Sequence, residues 1–208
     1  MKIAILTSEN QWFDIYAHDL ADKLGGIPVY TNHQDIKLDN DVLFILGYHR
    51  IIEQEILNKN KHNIVIHESA LPKGKGWSPL FWQVLEGEVE IPFTMFEASS
   101  GVDNGDIYFQ NNLSLTGYEL NKELRHEQAK LTIQMCLEFV DNYSCYLPPS
   151  KQVGDESFYP KRTHVDSELD INKTIKEQFN LLRIVNNQEY PAFFEIDGRK
   201  YKLTIESC

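Results

Sequence analysis

The stretch HNIVIHESALPKGKGW, residues 62–77, sets a histidine, an acid and a serine directly after the apolar run Ile64-Val65-Ile66 and follows them with a basic glycine loop. A histidine at the exit of such a strand can stabilise a developing oxyanion or move a proton. It does so best when a carboxylate beside it orients the ring and favours its protonated form. Asp103, within Gly101-Val102-Asp103-Asn104-Gly105, supplies that carboxylate if adjacent strand ends bring it to His67. Each feature also has a plainer reading. A lone histidine at a strand end is commonly a hydrogen-bonded structural residue, and Gly-Val-Asp-Asn-Gly by itself is a turn.

The elements that must position these groups follow from the apolar pattern. Residues 2–7, 28–30, 42–46 and 63–66 are short apolar runs suited to strands covered on both faces. Between the first two, Trp12, Phe13, Tyr16, Leu20 and Leu24 recur at helical spacing and Gly25-Gly26 supplies a stop. A short helix is expected over 51–58 and another from Pro79, whose fixed φ suits a first helical turn. Residues 91–96 and 107–109 read as strands, and 118–143 as a long amphipathic helix with Leu120, Leu124, Leu131, Met135 and Phe139 on one face. Residues 144–160 turn rich in Pro, Ser, Gly and acid, which marks a linker. Beyond it a helix is expected over 170–187 and a hairpin over 193–205, turning at Asp197-Gly198. Strands alternating with helices give an α/β layer fold with right-handed crossovers. In an open parallel sheet ligands settle beyond the carboxyl ends of the strands, here the loops after 42–46, 63–66 and 91–98.

The 208 residues, 42% of them hydrophobic, are enough for one domain, or one domain with a small annex. A net charge of −11 makes nucleic acid a poor partner. Cys136, Cys145 and Cys208 are odd in number and not in metal-ligand spacing, so no metal site is expected. Nothing at the start reads as a cleavable leader and no apolar run is long enough to span a bilayer, which together point to a reduced, cytoplasmic protein.

The order of these features resembles the folate-dependent formyltransferase family, which includes methionyl-tRNA formyltransferase, glycinamide ribonucleotide transformylase and sugar N-formyltransferases. The carriers are His67-Glu68-Ser69-Ala70-Leu71-Pro72-Lys73-Gly74-Lys75-Gly76, a Trp/Pro-led helix ending in Leu-Glu-Gly, and then Gly101-Val102-Asp103-Asn104-Gly105-Asp106-Ile107. The resemblance continues into FYPKRTHVDSELD, NLLRIV and YPAFF. It implies a Rossmann-like formyltransferase fold, with a mostly parallel twisted sheet flanked by helices and a small C-terminal helix and hairpin. Residues 1–145 would be the catalytic domain and 146–208 the extension. The implied reaction is formyl transfer from N10-formyltetrahydrofolate to a primary amine, with His67 and Asp103 as the catalytic pair.

What the resemblance implies for the rest of the site can be placed residue by residue. Cofactor contacts fall on Tyr48, Arg50 and Ile52, with 99–103, including Ser99, Gly101 and Val102, closing the other side; a helix start at 50–52 is the plainer alternative. The family's oxyanion-binding asparagine falls on Val65, which cannot donate a hydrogen bond. Asn63, on the same strand face, is the nearest substitute. The chain stops where the tRNA enzymes add a barrel. That end-point and the acidic charge favour a nucleotide-linked amino sugar, with a UDP-linked 4-amino-4,6-dideoxy sugar of pseudaminic acid synthesis as the specific candidate. Lys73, Lys75, Lys161 and Arg162 are the expected diphosphate donors. Trp77, Phe158 or Tyr159 could stack on the base, although packing or surface cover is the plainer role for each. The remaining expectations are a monomer or homodimer, and structural roles for Cys136 and Cys145.

Overall fold

The computed structural model describes residues 1–36, 39–99 and 101–207; Ser100, part of the expected 99–103 wall, and Cys208 lie outside them. Its centre is a six-stranded sheet in the order β2-β1-β3-β4-β6-β7. The strands are β1 (Ile3–Leu6), β2 (Val29–Tyr30), β3 (Val42–Ile45), β4 (His62–His67), β6 (Glu90–Glu97) and β7 (Ile107–Ser114). The first four in that order run parallel, whereas β6 is antiparallel to β4 and β7 to β6.

Alternation within the strands explains the two layers. Ile3, Ile5, Phe44, Ile64 and Ile66 face a large cluster built with Phe13, Ala17 and Leu20 and with Leu124, Leu131, Met135 and Phe139. The first three come from or just before α1 (Asp14–Lys23), the last four from α4 (Asn121–Asp141). Ala4, Leu6, Leu43 and Ile45 face a smaller cluster on the other side with Leu57 of α2 (Gln54–Leu57). A strand apolar on both faces is what a parallel sheet covered by two layers requires. By the same period of two, His67 shares the α2 side with Val65.

Several elements differ from expectation. The helix expected over 51–58 is only α2, because Glu53 is extended (ψ 143°) and Ile51 is 91% exposed. The strand expected over 107–109 runs on through Ser114 and pairs along the whole of β6. The helix expected over 170–187 shrinks to a 3₁₀ turn at Lys176–Gln178 and α5 (Phe179–Ile184). Side chains upstream capture the backbone there: Asp170 accepts from Asn172 N (2.9 Å) and Glu177 from Thr174 N (2.8 Å). The first is a turn that competes with helix, and the second belongs to a capping box that delays the helical start to residue 175.

Residues 144–160 are not a free linker. Ser150 exchanges two backbone bonds with Ile107, and β8 (Phe158–Tyr159) lies parallel to β5 (Lys75–Gly76) in the glycine loop. The loop then enters α3 (Pro79–Glu86) with the proline at its start. The hairpin, β9 (Ala192–Ile196) and β10 (Arg199–Leu203), turns at Asp197 and Gly198, both at positive φ, as a tight two-residue turn demands. It covers a small cluster of Leu169, Leu182 and Val185. Among the described residues no helix is long and apolar enough to cross a membrane, and none of their His, Cys, Asp and Glu groups could hold a metal ion.

Candidate active site

His67 ends β4, 7% exposed, with Nε2 donating to the Gly74 carbonyl at 2.9 Å and lying 3.6 Å from Asp103 Oδ2. A carbonyl only accepts, so this bond assigns the proton to Nε2. Among the described residues Nδ1 makes no hydrogen bond, which leaves it for a bound group. Asp103 Oδ2 also accepts from Gly76 N at 2.9 Å, so the two glycines of the loop grip the two members of the pair.

The pair does not form by the expected meeting of strand ends. Because β6 runs antiparallel, Glu97 lies opposite Ile64 and Ala98 N bonds to Asn63 O, at the start of β4 and not its end. Residues 98–106 must turn back to bring Asp103 to His67. Asp103 itself is left-handed (φ 51°), and Gln152 donates through Nε2 to both Asp103 O (2.7 Å) and Gly105 O (2.9 Å). Two positions require glycine: a Cβ on Gly105 would stand 1.5 Å from Glu97 O, and one on Gly76 2.5 Å from Tyr159 O.

On the α2 side of His67, Tyr48, Ile52, Val65 and Ala98 pack around Ile45 and Leu57 as a half-exposed apolar wall. Tyr48 OH is tied to His33 Nδ1 at 2.6 Å. Arg50, Ser99, Gly101 and Val102 are exposed beside this wall. An apolar wall rimmed by exposed backbone fits a flat heterocycle with polar edges. Asn63 does not substitute for the missing amide. Its Nδ2 donates to Leu57 O (3.0 Å) and its Oδ1 accepts from Asn60 (3.0 Å), so both ends are spent on the fold.

The expected cationic patch divides. Lys73 is exposed. Lys75 is 1% exposed, its ammonium bonded to Asn104 Oδ1 and to Glu156 Oε1 (2.7 Å), so it is a buried brace and not a surface phosphate donor. Lys161 lies over the half-exposed Trp77, 4.6 Å from the ring centre. Arg162 sits 5.8 Å from the Trp82 ring and donates to Asp166 O; burial lowers its pKa, and its Nε is buried without a partner. Tyr159 is packing: it stacks on Trp82 (5.9 Å, 4°) and bonds Glu86 (2.9 Å), and burial together with that bond pushes its phenol to about 12. Phe158 is exposed. Burial pushes the Cys136 thiol up, as suits a core residue, whereas Cys145 is exposed rather than packed. A groove of about 600 Å³ between α1 and α4, lined by Lys23, Lys130 and Leu137, shares no residue with this site.

A family model described as formyl transferase matches residues 29–139, which span β2 to α4 and include His67, the glycine loop and Asp103. The chain belongs to the formyl transferase family. Methionyl-tRNA formyltransferase of Ehrlichia ruminantium (strain Gardel) is 29% identical over 197 residues, covering 89% of this chain and 63% of that protein. The chain thus spans under two thirds of that curated relative. Among solved structures, the methionyl-tRNA formyltransferase from Clostridium thermocellum matches at TM-score 0.84 and 20% identity, covering 100% of this chain and 94% of that one. A sugar N-formyltransferase from Shewanella sp FDAARGOS_354 matches at TM-score 0.72 and 14% identity, covering 100% and 98%. At these identities the likeness to solved structures is one of fold, and it identifies the mixed sheet as the formyltransferase fold.

Proposed function

We propose that this chain is an N-formyltransferase carrying the formyl group of N10-formyltetrahydrofolate to the primary amine of a nucleotide-linked amino-deoxysugar. The observation that carries the reading is the His67–Asp103 pair at 3.6 Å inside a formyl transferase match. The family's cofactor supplies a formyl carbon open to attack by nitrogen, and the wall of Tyr48, Ile52, Val65 and Ala98 suits its pterin ring. The new C–N bond would place charge on the formyl oxygen; that charge would return to carbon as the bond to N10 breaks and tetrahydrofolate leaves with a proton on N10. With both ring nitrogens protonated, His67 would keep its Nε2 bond to Gly74 O and donate through Nδ1 to the formyl oxygen, and preorganised contacts of this kind are commonly the largest catalytic contribution. Asp103 holds the ring and takes up the proton that the attacking amine sheds. Val65 removes one side-chain donor from this arrangement.

Support for a sugar acceptor comes from exposed Lys73, Lys161 and Trp77 as diphosphate and base contacts; the fold itself is shared with both sugar and tRNA enzymes. A UDP-linked 4-amino-4,6-dideoxy sugar is the specific candidate. Formyl transfer to an aminoacylated tRNA is the second reading, favoured by the names of the sequence relatives. The net charge of −11 weighs against it. Purified protein incubated with the cofactor and a panel of amino-sugar nucleotides, small amines and methionyl-tRNA separates the readings by which acceptor gains a formyl group. No formylated product from any acceptor, with cofactor binding intact, would mark a silent homologue.

A further inference from the structure

The carboxylate of the pair is arranged by a segment almost fifty residues downstream. Asp103 has φ 51°, a conformation that a residue with a side chain keeps only when its surroundings enforce it. Gln152 holds the carbonyls on either side of Asn104. Asn104 in turn is gripped by the buried Lys75 ammonium, which also reaches Glu156. Residues 103–105 are therefore fastened twice to the 152–156 segment, once directly and once through the glycine loop. Gln152 accepts a cost to do this, since its Oε1 is buried with no partner, a loss that an apolar residue of the same size would avoid.

We propose that Gln152 is a positioning residue: its carboxamide fixes the Asp103 backbone and so sets the carboxylate against His67, with Lys75 and Glu156 locking the same turn. The inference rests on the catalytic reading of His67 and Asp103 given above. Gln152→Leu keeps the bulk and removes both donors without changing charge. With the assayed acceptor, kcat falls about 10²-fold, the scale of an ångström-sized misplacement, while KM for cofactor and acceptor stays near wild type. In an Asp103→Asn background the same substitution adds little further loss, because it acts through the group already removed. Unchanged kcat in Gln152→Leu, or losses that multiply in the double variant, overturn the proposal. Should Gln152→Leu not fold, Glu156→Gln, at a half-exposed carboxylate, tests the same turn through Lys75: a smaller fall in kcat at constant KM supports positioning, and no fall refutes it. Failure of the catalytic reading is distinct, since Asp103→Asn alone would then retain full turnover.

Discussion

β4 carries a histidine–carboxylate pair at each end, and both span 3.6 Å: His62 with Glu97 at its start, His67 with Asp103 at its finish. The first is made by neighbouring strands of one sheet. Tyr108 OH stands between its members, 2.8 Å from His62 Nδ1 and 2.5 Å from Glu97 Oε2, while Glu97 Oε1 accepts Asn63 N at 2.8 Å. The rings of Tyr108 and Tyr143 wall it in, and burial drives the Tyr108 phenol up and the His62 pKa down. The second joins the last residue of β4 to a turn beyond β6. Glycine backbone holds it, one ring nitrogen is left open, and an exposed rim lies alongside. Separation alone thus says little about chemistry. What differs is whether the surroundings leave an atom for a ligand, and whether the pair is borne by rigid pairing or by turns that a neighbouring segment must brace.

Substitutions test this contrast. The largest effect is expected at the turn-borne pair: His67→Ala lowers kcat by about 10²–10⁴-fold, with the thermal midpoint nearly unchanged, and Asp103→Asn follows it. Full turnover in either variant removes the distinction between the two ends of β4. Gly76→Ala is next, since its Cβ would collide with Tyr159 O and lift β8 from the loop, so activity and stability should fall together in kinetics and melting. At the sheet-borne pair, Glu97→Leu leaves Asn63 N unpaired and Tyr108 OH with His62 alone, and costs roughly 2–3 kcal/mol in denaturant unfolding, with turnover preserved. Tyr108→Phe should cost about 1 kcal/mol by the same measurement. The smallest effect is on pH dependence. Burial lowers the folded-state pKa of His62 below the ordinary histidine value of 6.5, so below that pH the unfolded chain binds the proton more readily. Stability contributed by neutral His62 is complete above 6.5 and is lost as pH falls through the folded value; urea midpoints in His62→Phe should decline less over that range.

The proximity of His67 and Asp103 was legible because each sits in a motif with a fixed order, and the parallel part of the sheet was legible because its strands are apolar on both faces. The route by which they meet was not. Nothing in Ile91–Phe96 announces that β6 runs antiparallel, since an apolar strand reads alike in both directions. β5 and β8 are two residues each, too short to show a period. Lys75 looks like a surface cation beside Lys73, and its burial depends on Asn104 and Glu156, distant partners with no spacing rule to reveal them. Gln152 gave no signal at all within a stretch of linker-like composition. The C-terminal helix was over-read because FNLLRI has helical spacing while the Asp and Thr before it favour turns.

The parallel pairing of β8 with β5 has a temporal meaning. A ribosome releases His67 and Asp103 well before Gln152, Glu156 and Tyr159, so a nascent chain grown only through α4 owns the proposed pair without the segment that braces it. On the positioning proposed for Gln152, competence arrives only once residues 152–159 have emerged and docked, and the proposed site stays unbraced until then.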